Sequence, residues 1–285
     1  MKHTSRLLWL LTLLMIFSCG EEEMNEPIES ALPDYIPTSG YTTPNTYSGR
    51  TLIWQDEFNG TTVNTGNWNF EEGDGCDKGI CGWGNNELQW YSSSNARIES
   101  EEYLVITALR QDSNGKEYAS ARMTTEDKFE FKYGRVDIRA ALPEGKGLWP
   151  ALWMLGTSGG QWPKNGEIDI MESGQGGDDD KVVGTVHWDA NGDNANYGQS
   201  KSFPNRQLQN QFHVFSIEWS ENVIRWYVDD VEYNVIDTSP SDLSEFRNDF
   251  YLLFNVAVGG NFSGNPDNLT SFPQRMVIDY IRVFQ

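Results

Sequence analysis

From about residue 50 onward, apolar side chains recur at every second position in short runs, each broken by Gly, Asn, Asp or Pro. A period of two places alternate side chains on opposite faces of an extended chain, so these runs predict β-strands. They fall at 103–109, 118–124, 133–140, 182–188, 213–219, 224–228, 250–258 and 276–284. Asp229-Asp230 separates two such runs and predicts a hairpin turn. A helical period is nearly absent, and only 241–248 reads as a short helix. Many short strands without βα alternation predict an all-β fold, two antiparallel sheets packed face to face in a single domain over 50–285.

One run departs from simple alternation. In Gly166-Glu167-Ile168-Asp169-Ile170-Met171-Glu172-Ser173, Glu167 and Asp169 share a face while Ile168 and Ile170 point to the core. Strict alternation would send Glu172 to the apolar side; one extra residue at Met171, a β-bulge, returns it to the other two acids. Three adjacent buried acids are costly, because each like charge disfavours ionisation of the next. A solvated acidic face or a cation site is the ordinary explanation of such a pattern. The surroundings favour a chemical one: Trp149, Trp153 and Trp162 precede the run, and His187 and Trp188 lie on the next strand. Rings that stack on a sugar face, beside two carboxylates able to flank a glycosidic bond, suit carbohydrate cleavage.

Charge narrows the partner. The 285 residues carry a net charge of −21, with 11 tryptophans. No basic stripe exists to release counterions, which excludes nucleic acid as a partner, and a sulfated polysaccharide would be repelled. A neutral glycan fits, and a monomer is expected.

The N-terminus reads as an export signal over 1–18. Lys2 and Arg6 precede an apolar stretch too short to span a bilayer, and Ile16-Phe17-Ser18-Cys19 resembles a bacterial lipobox with Cys19 as the lipidated residue. Residues 19–49, rich in Glu, Pro, Ser and Thr, read as a disordered tether. An outer-membrane lipoprotein exposed at the cell surface is therefore expected, with the membrane contacted only through its lipid. Cys76 and Cys81, in a glycine-rich loop of an exported chain, predict a disulfide.

Several segments together resemble family 16 glycoside hydrolases, β-jelly-roll enzymes with a concave substrate cleft. They are Trp54-Gln55-Asp56-Glu57-Phe58, Trp83-Gly84-Asn85-Asn86-Glu87-Leu88-Gln89, Ser120-Ala121-Arg122-Met123, Tyr133-Gly134-Arg135-Val136, Gly147-Leu148-Trp149-Pro150-Ala151-Leu152-Trp153, the acidic run, and Asn255-Val256-Ala257-Val258-Gly259-Gly260-Asn261. The bulged acidic form is similar to laminarinases, endo-acting β-1,3-glucanases. The resemblance implies Glu167 as nucleophile, Glu172 as acid and base, and Asp169 between them, hydrogen-bonded to Glu167. It further implies sugar contacts from Asn86, Arg122, Trp149, Trp153 and Trp162, with His187 facing the groove near Glu172. No cofactor is implied for catalysis. A structural calcium on the convex side is implied, with Glu57 and Asp279 at the matching positions; a pair of exposed acids is the alternative there. Phe262 stands where many laminarinases have Trp. The alternatives to a β-1,3-glucanase are a mixed-linkage β-1,3-1,4-glucanase and a non-catalytic β-glucan-binding lipoprotein.

Overall fold

Alternation along the acidic strand explains the architecture around it. Ile168, Ile170 and Met171 are buried in one hydrophobic core, and the acids face the other way. The same division runs along its neighbour Leu148–Gly156, where Leu148, Leu152 and Met154 enter the core while Trp149, Ala151 and Trp153 line a groove. The structure is a computed structural model, and it describes residues 32–203 and 207–285. Cys19, the export signal over 1–18 and the first part of the tether lie outside the described residues.

Two sheets enclose the core. The seven-stranded sheet runs Asp193–Ser202, Lys181–Ala190, Glu167–Ser173, Leu148–Gly156, Phe250–Val258, Arg122–Thr124 and Asn69–Glu71 in spatial order, every neighbour antiparallel. A ten-stranded sheet backs it, with Gly134–Ala141 between His213–Trp219 and Gln274–Phe284. This is the expected all-β jelly-roll architecture. Asp229 and Asp230 both take positive φ, 54° and 58°, which turns Val223–Val228 into Val231–Asp237 as a hairpin. Ser241–Arg247 forms a short 3₁₀ helix.

Three local readings change. The run 118–124 is not one strand: Lys116–Ser120 pairs in the larger sheet and Arg122–Thr124 in the smaller, the chain crossing between sheets at fully buried Ala121. Asp193–Ser202 carries no apolar alternation, yet it is an edge strand paired along all of Lys181–Ala190. Residues 33–49, expected within the tether, are packed on the domain. Phe212 N donates to Ser39 O and Tyr41 N to Phe212 O, both at 2.9 Å. Thr43 N donates to Tyr280 Oη at 2.9 Å, and Tyr47 Oη to Asp137 Oδ2 at 2.7 Å. Ile36 and Thr43 are buried. Anchors this sparse leave no periodicity, but each finds a long-range partner.

Candidate active site

The bulge is present and comprises two residues. Asp169 pairs with Thr185 and Glu172 with Val183, so Ile170 and Met171 together oppose the single residue Gly184. Both bulged side chains enter the core, which puts Glu167, Asp169 and Glu172 on the same groove wall. The other sheet holds this kink in place: the buried Trp226 indole donates Nε1–H to Asp169 O at 2.8 Å. A Cβ on Gly184 would lie 2.4 Å from Trp226 Cδ1, so only glycine leaves room for that indole.

The groove has a volume of about 800 Å³. Glu172 accepts from Trp149 Nε1 at 2.9 Å, and Glu167 Oε2 from Trp162 Nε1 at 3.0 Å. Asp169 Oδ2 receives no N–H or O–H among the described residues, so a hydrogen bond with Glu167 requires a proton held by one of the two acids. His187 pairs in register with Glu167 and places Nε2 3.6 Å from Asp169 Oδ2 and 3.8 Å from Glu167 Oε1. It stands opposite Glu167 and also within electrostatic reach of Glu172, because cross-strand register and a shared groove face decide its neighbours. Its Nδ1 lies 3.2 Å from Asn194 Oδ1.

Burial pushes all three carboxyls up. Glu167 and Glu172 are each raised to about 7, and Asp169 is raised well above the ordinary range by burial and then by its two neighbours. An indole N–H favours the ionised form of each glutamate, from Trp162 to Glu167 and from Trp149 to Glu172. The charge of Arg122 further favours ionised Glu167, while the negative charge of Glu167 favours a proton on Glu172. Burial also lowers His187, which keeps its imidazole neutral.

Toward the opposite end, the Arg122 guanidinium lies between two indoles, 4.4 Å from the Trp83 ring centre and 4.9 Å from that of Trp153. It is ion-paired with Glu71, which also pairs with Lys78. Trp153 donates Nε1–H to Asn255 Oδ1 at 2.8 Å, Asn255 Nδ2 donates to Tyr91 Oη at 3.2 Å, and Tyr91 donates to Glu87 Oε2 at 3.2 Å. Gln89 Nε2 completes that acid's shell at 2.7 Å. Trp149 stacks on Phe262 with ring centres 4.8 Å apart, so one of its faces is already covered. Trp162 is 49% exposed at the rim.

Trp149, Trp153, Trp162, Arg122 and His187 therefore converge on the groove, but Asn86 does not. It sits at φ 59°, is exposed, and donates Nδ2–H to Asn261 Oδ1 at 2.9 Å. Its side chain stands at the rim, bonded to the groove-lining Asn261, while Asn85 and Glu87 line the groove itself. The residues that sequence reasoning missed, Trp83, Glu87 and Asn255, lie inside segments already singled out. The roles of Glu87 and Asn255 depend on a hydrogen-bonded chain, and that of Trp83 on its packing against Arg122, neither of which spacing reveals. Cys76 and Cys81 are bonded as expected, with Cα atoms 4.0 Å apart.

The calcium expected on the convex side does not fit the residues present. Glu57 takes Arg282 Nε and Nη2 at 2.6 and 2.8 Å, and Asp279 Oδ2 takes Arg139 Nη1 at 2.5 Å. Both acids are already engaged by guanidinium groups, whose positive charge opposes a cation at the same oxygens.

Residues 81–282 match the family described as Glycosyl hydrolases family 16. The chain is 40% identical over 269 residues to Glucan endo-1,3-beta-glucosidase A1 of Niallia circulans, covering 86% of this chain but 39% of that protein. It is 39% identical over 251 residues to Beta-glucanase of Rhodothermus marinus, covering 82% of this chain and 85% of that one. Among solved structures, the laminarinase catalytic domain from Thermotoga maritima MSB8 superposes with a TM-score of 0.75 at 47% identity, covering 83% of this chain and 98% of that one. A bulged strand carrying three acids on the wall of an aromatic groove, within a jelly roll matched over this span, establishes that the chain belongs to glycoside hydrolase family 16.

Proposed function

We propose that the protein is an endo-acting β-1,3-glucanase that cleaves laminarin-type polysaccharide with retention of anomeric configuration. The observation that carries this reading is the Ile170–Met171 bulge, which brings Glu167 and Glu172 onto one face of one groove. The Glu167 carboxylate attacks the anomeric carbon while Glu172 gives its proton to the departing glycosidic oxygen. Once Glu167 is esterified its charge is gone, and with it one of the causes that held the Glu172 proton. Glu172 is then the base that takes a proton from water, as the water oxygen attacks the anomeric carbon and releases Glu167. Arg122, Trp83 and Trp153 bind the chain on one side of this point, and Trp162 and His187 on the other.

Similarity to a glucan endo-1,3-beta-glucosidase and to a laminarinase domain supports the linkage. The resemblance of Ile16-Phe17-Ser18-Cys19 to a lipobox supports a location at the outer-membrane surface, where a lipid anchor would hold the enzyme beside polymer. The deciding experiment is a product profile of purified protein on laminarin, barley mixed-linkage glucan, agarose and carboxymethyl cellulose. Short oligosaccharides from laminarin alone are expected. Faster cleavage of barley glucan would assign the mixed-linkage activity, and binding without turnover of any polymer would refute a hydrolase.

A further inference from the structure

The disulfide-closed loop at the Arg122 end of the groove plays no part in the chemistry above. Cys76 and Cys81 close it, and the backbone clamps Ile80 from both sides: Ile80 N donates to Gly75 O, and Gly84 N to Ile80 O, each at 3.0 Å. So held, the Ile80 side chain is 44% exposed, and it lines the groove beside Trp83. A single exposed isoleucine means little on a convex surface. Here it continues a wall of indole and guanidinium faces. The loop is also tied to that wall by charge. Lys78 pairs with Glu71 and Glu71 with Arg122, while the Lys78 ammonium lies 5.7 Å from the Trp83 ring centre.

Register gives the distance scale. Arg122–Thr124 is separated from Glu167–Ser173 by Leu148–Gly156 and Phe250–Val258, three inter-strand steps. At ~4.8 Å per step that is ~14 Å, the reach of a few linked sugar rings. A short oligosaccharide held at the acids would stop before the loop, and a longer one would run onto it.

We propose that the 76–81 loop is a distal binding site for the glucan chain, in which Ile80 meets the apolar face of a hexose ring several units from the cleaved bond, on the side away from Trp162. The Lys78–Glu71–Arg122 chain and the disulfide fix the loop's height above the groove floor, so that the ring lands on Ile80 and the Trp83 edge together. The occupant is the continuation of the neutral polymer already in the groove, because the groove lining continues from Trp153 through Arg122 and Trp83 to Ile80. The proposal rests on the β-1,3-glucan reading.

The test compares wild type with Ile80→Ser on laminaritetraose and laminariheptaose. Ile80 is exposed, so the variant is expected to melt with the wild type. On the longer substrate kcat/KM should fall roughly five-fold, carried by KM with kcat unchanged, while on the shorter it should hold. The Cys76→Ser/Cys81→Ser variant should show the same dependence on length. A loss equal on both substrates, or none on either, would overturn the distal site while leaving the β-1,3-glucanase intact. A wild type that cleaves neither oligosaccharide would overturn the distal site together with the reading beneath it.

Discussion

Acids gather on both faces of this molecule, and the two groups are handled in opposite ways. On the convex side, Glu57 is gripped by Arg282 and Asp279 by Arg139; burial pushes Asp279 up, and the guanidinium beside it pulls it back. In the groove, the donors that meet Glu167 and Glu172 are neutral indoles, and Asp169 Oδ2 has none among the described residues. Ion pairs of this kind hold strands together, even where burial leaves an acid such as Asp279 with its proton affinity raised. Unpaired buried acids are kept near neutrality in their proton affinity, which costs stability but allows one carboxyl to attack while its neighbour carries a proton. The difference between structural and chemical carboxylates lies in the partner, not in the acid.

The comparison is broken most severely by removing a groove acid. Glu167→Ser should lower kcat by about 10⁴-fold or more while retaining glucan binding by titration calorimetry. Glu57→Gln should leave kcat nearly unchanged, and a large loss there would mean the convex acids take part in the reaction.

The same contrast should appear in pH dependence. With Glu167 and Glu172 both near 7, kcat/KM should trace a narrow bell close to neutrality. Its acid limb reports ionisation of Glu167 and its alkaline limb loss of the Glu172 proton. Arg282→Lys should leave this profile unmoved.

Stability should respond the other way round. Arg282→Ala leaves Glu57 partly buried without its partner and should cost about 2 kcal/mol, read as a Tm lower by about 4–8 °C. A chelator such as EDTA should shift Tm by less than about 1 °C in the wild type, since arginines occupy the acids that a calcium ion would need. A marked fall in Tm with EDTA, restored by calcium, would reverse that assignment.

One expected effect on stability is a gain. Glu172 is raised to about 7 in the fold from about 4.3 in an unfolded chain, so the folded protein holds that proton more tightly. Its stabilising contribution is complete below about pH 4.3 and is lost as pH rises through about 7. Glu172→Gln should therefore raise Tm by about 3 °C when measured near pH 8, with almost no change at about pH 4.

Much of the groove wall is legible before any coordinates exist, because alternation is a local property. Glu167, Asp169 and Glu172 can be assigned to one face from eight consecutive residues, and the Asp229-Asp230 turn from the runs beside it. Short spacing, the glycines around it and the export signal together suggest the Cys76–Cys81 closure. Contacts that join distant segments escape such reading. Asn86 finds its partner Asn261 across 175 positions, and His187 meets Glu167 because two strands pair in one register. Tyr41 and Thr43 look like tether residues until Phe212 and Tyr280 receive them.

By itself, the chain determined its all-β class, the acidic face with its extra residue and the short cysteine loop. These follow from side-chain period and backbone geometry over a few residues. Only the tertiary structure decided which carboxylates would be neutralised and which left poised. Arg282 reaches Glu57 across 225 positions and Arg139 reaches Asp279 across 140, and the Trp226 indole reaches the bulge from 57 residues away. Whether a charge is answered depends on what folding brings within hydrogen-bonding distance, and the pattern of a single strand carries no record of that.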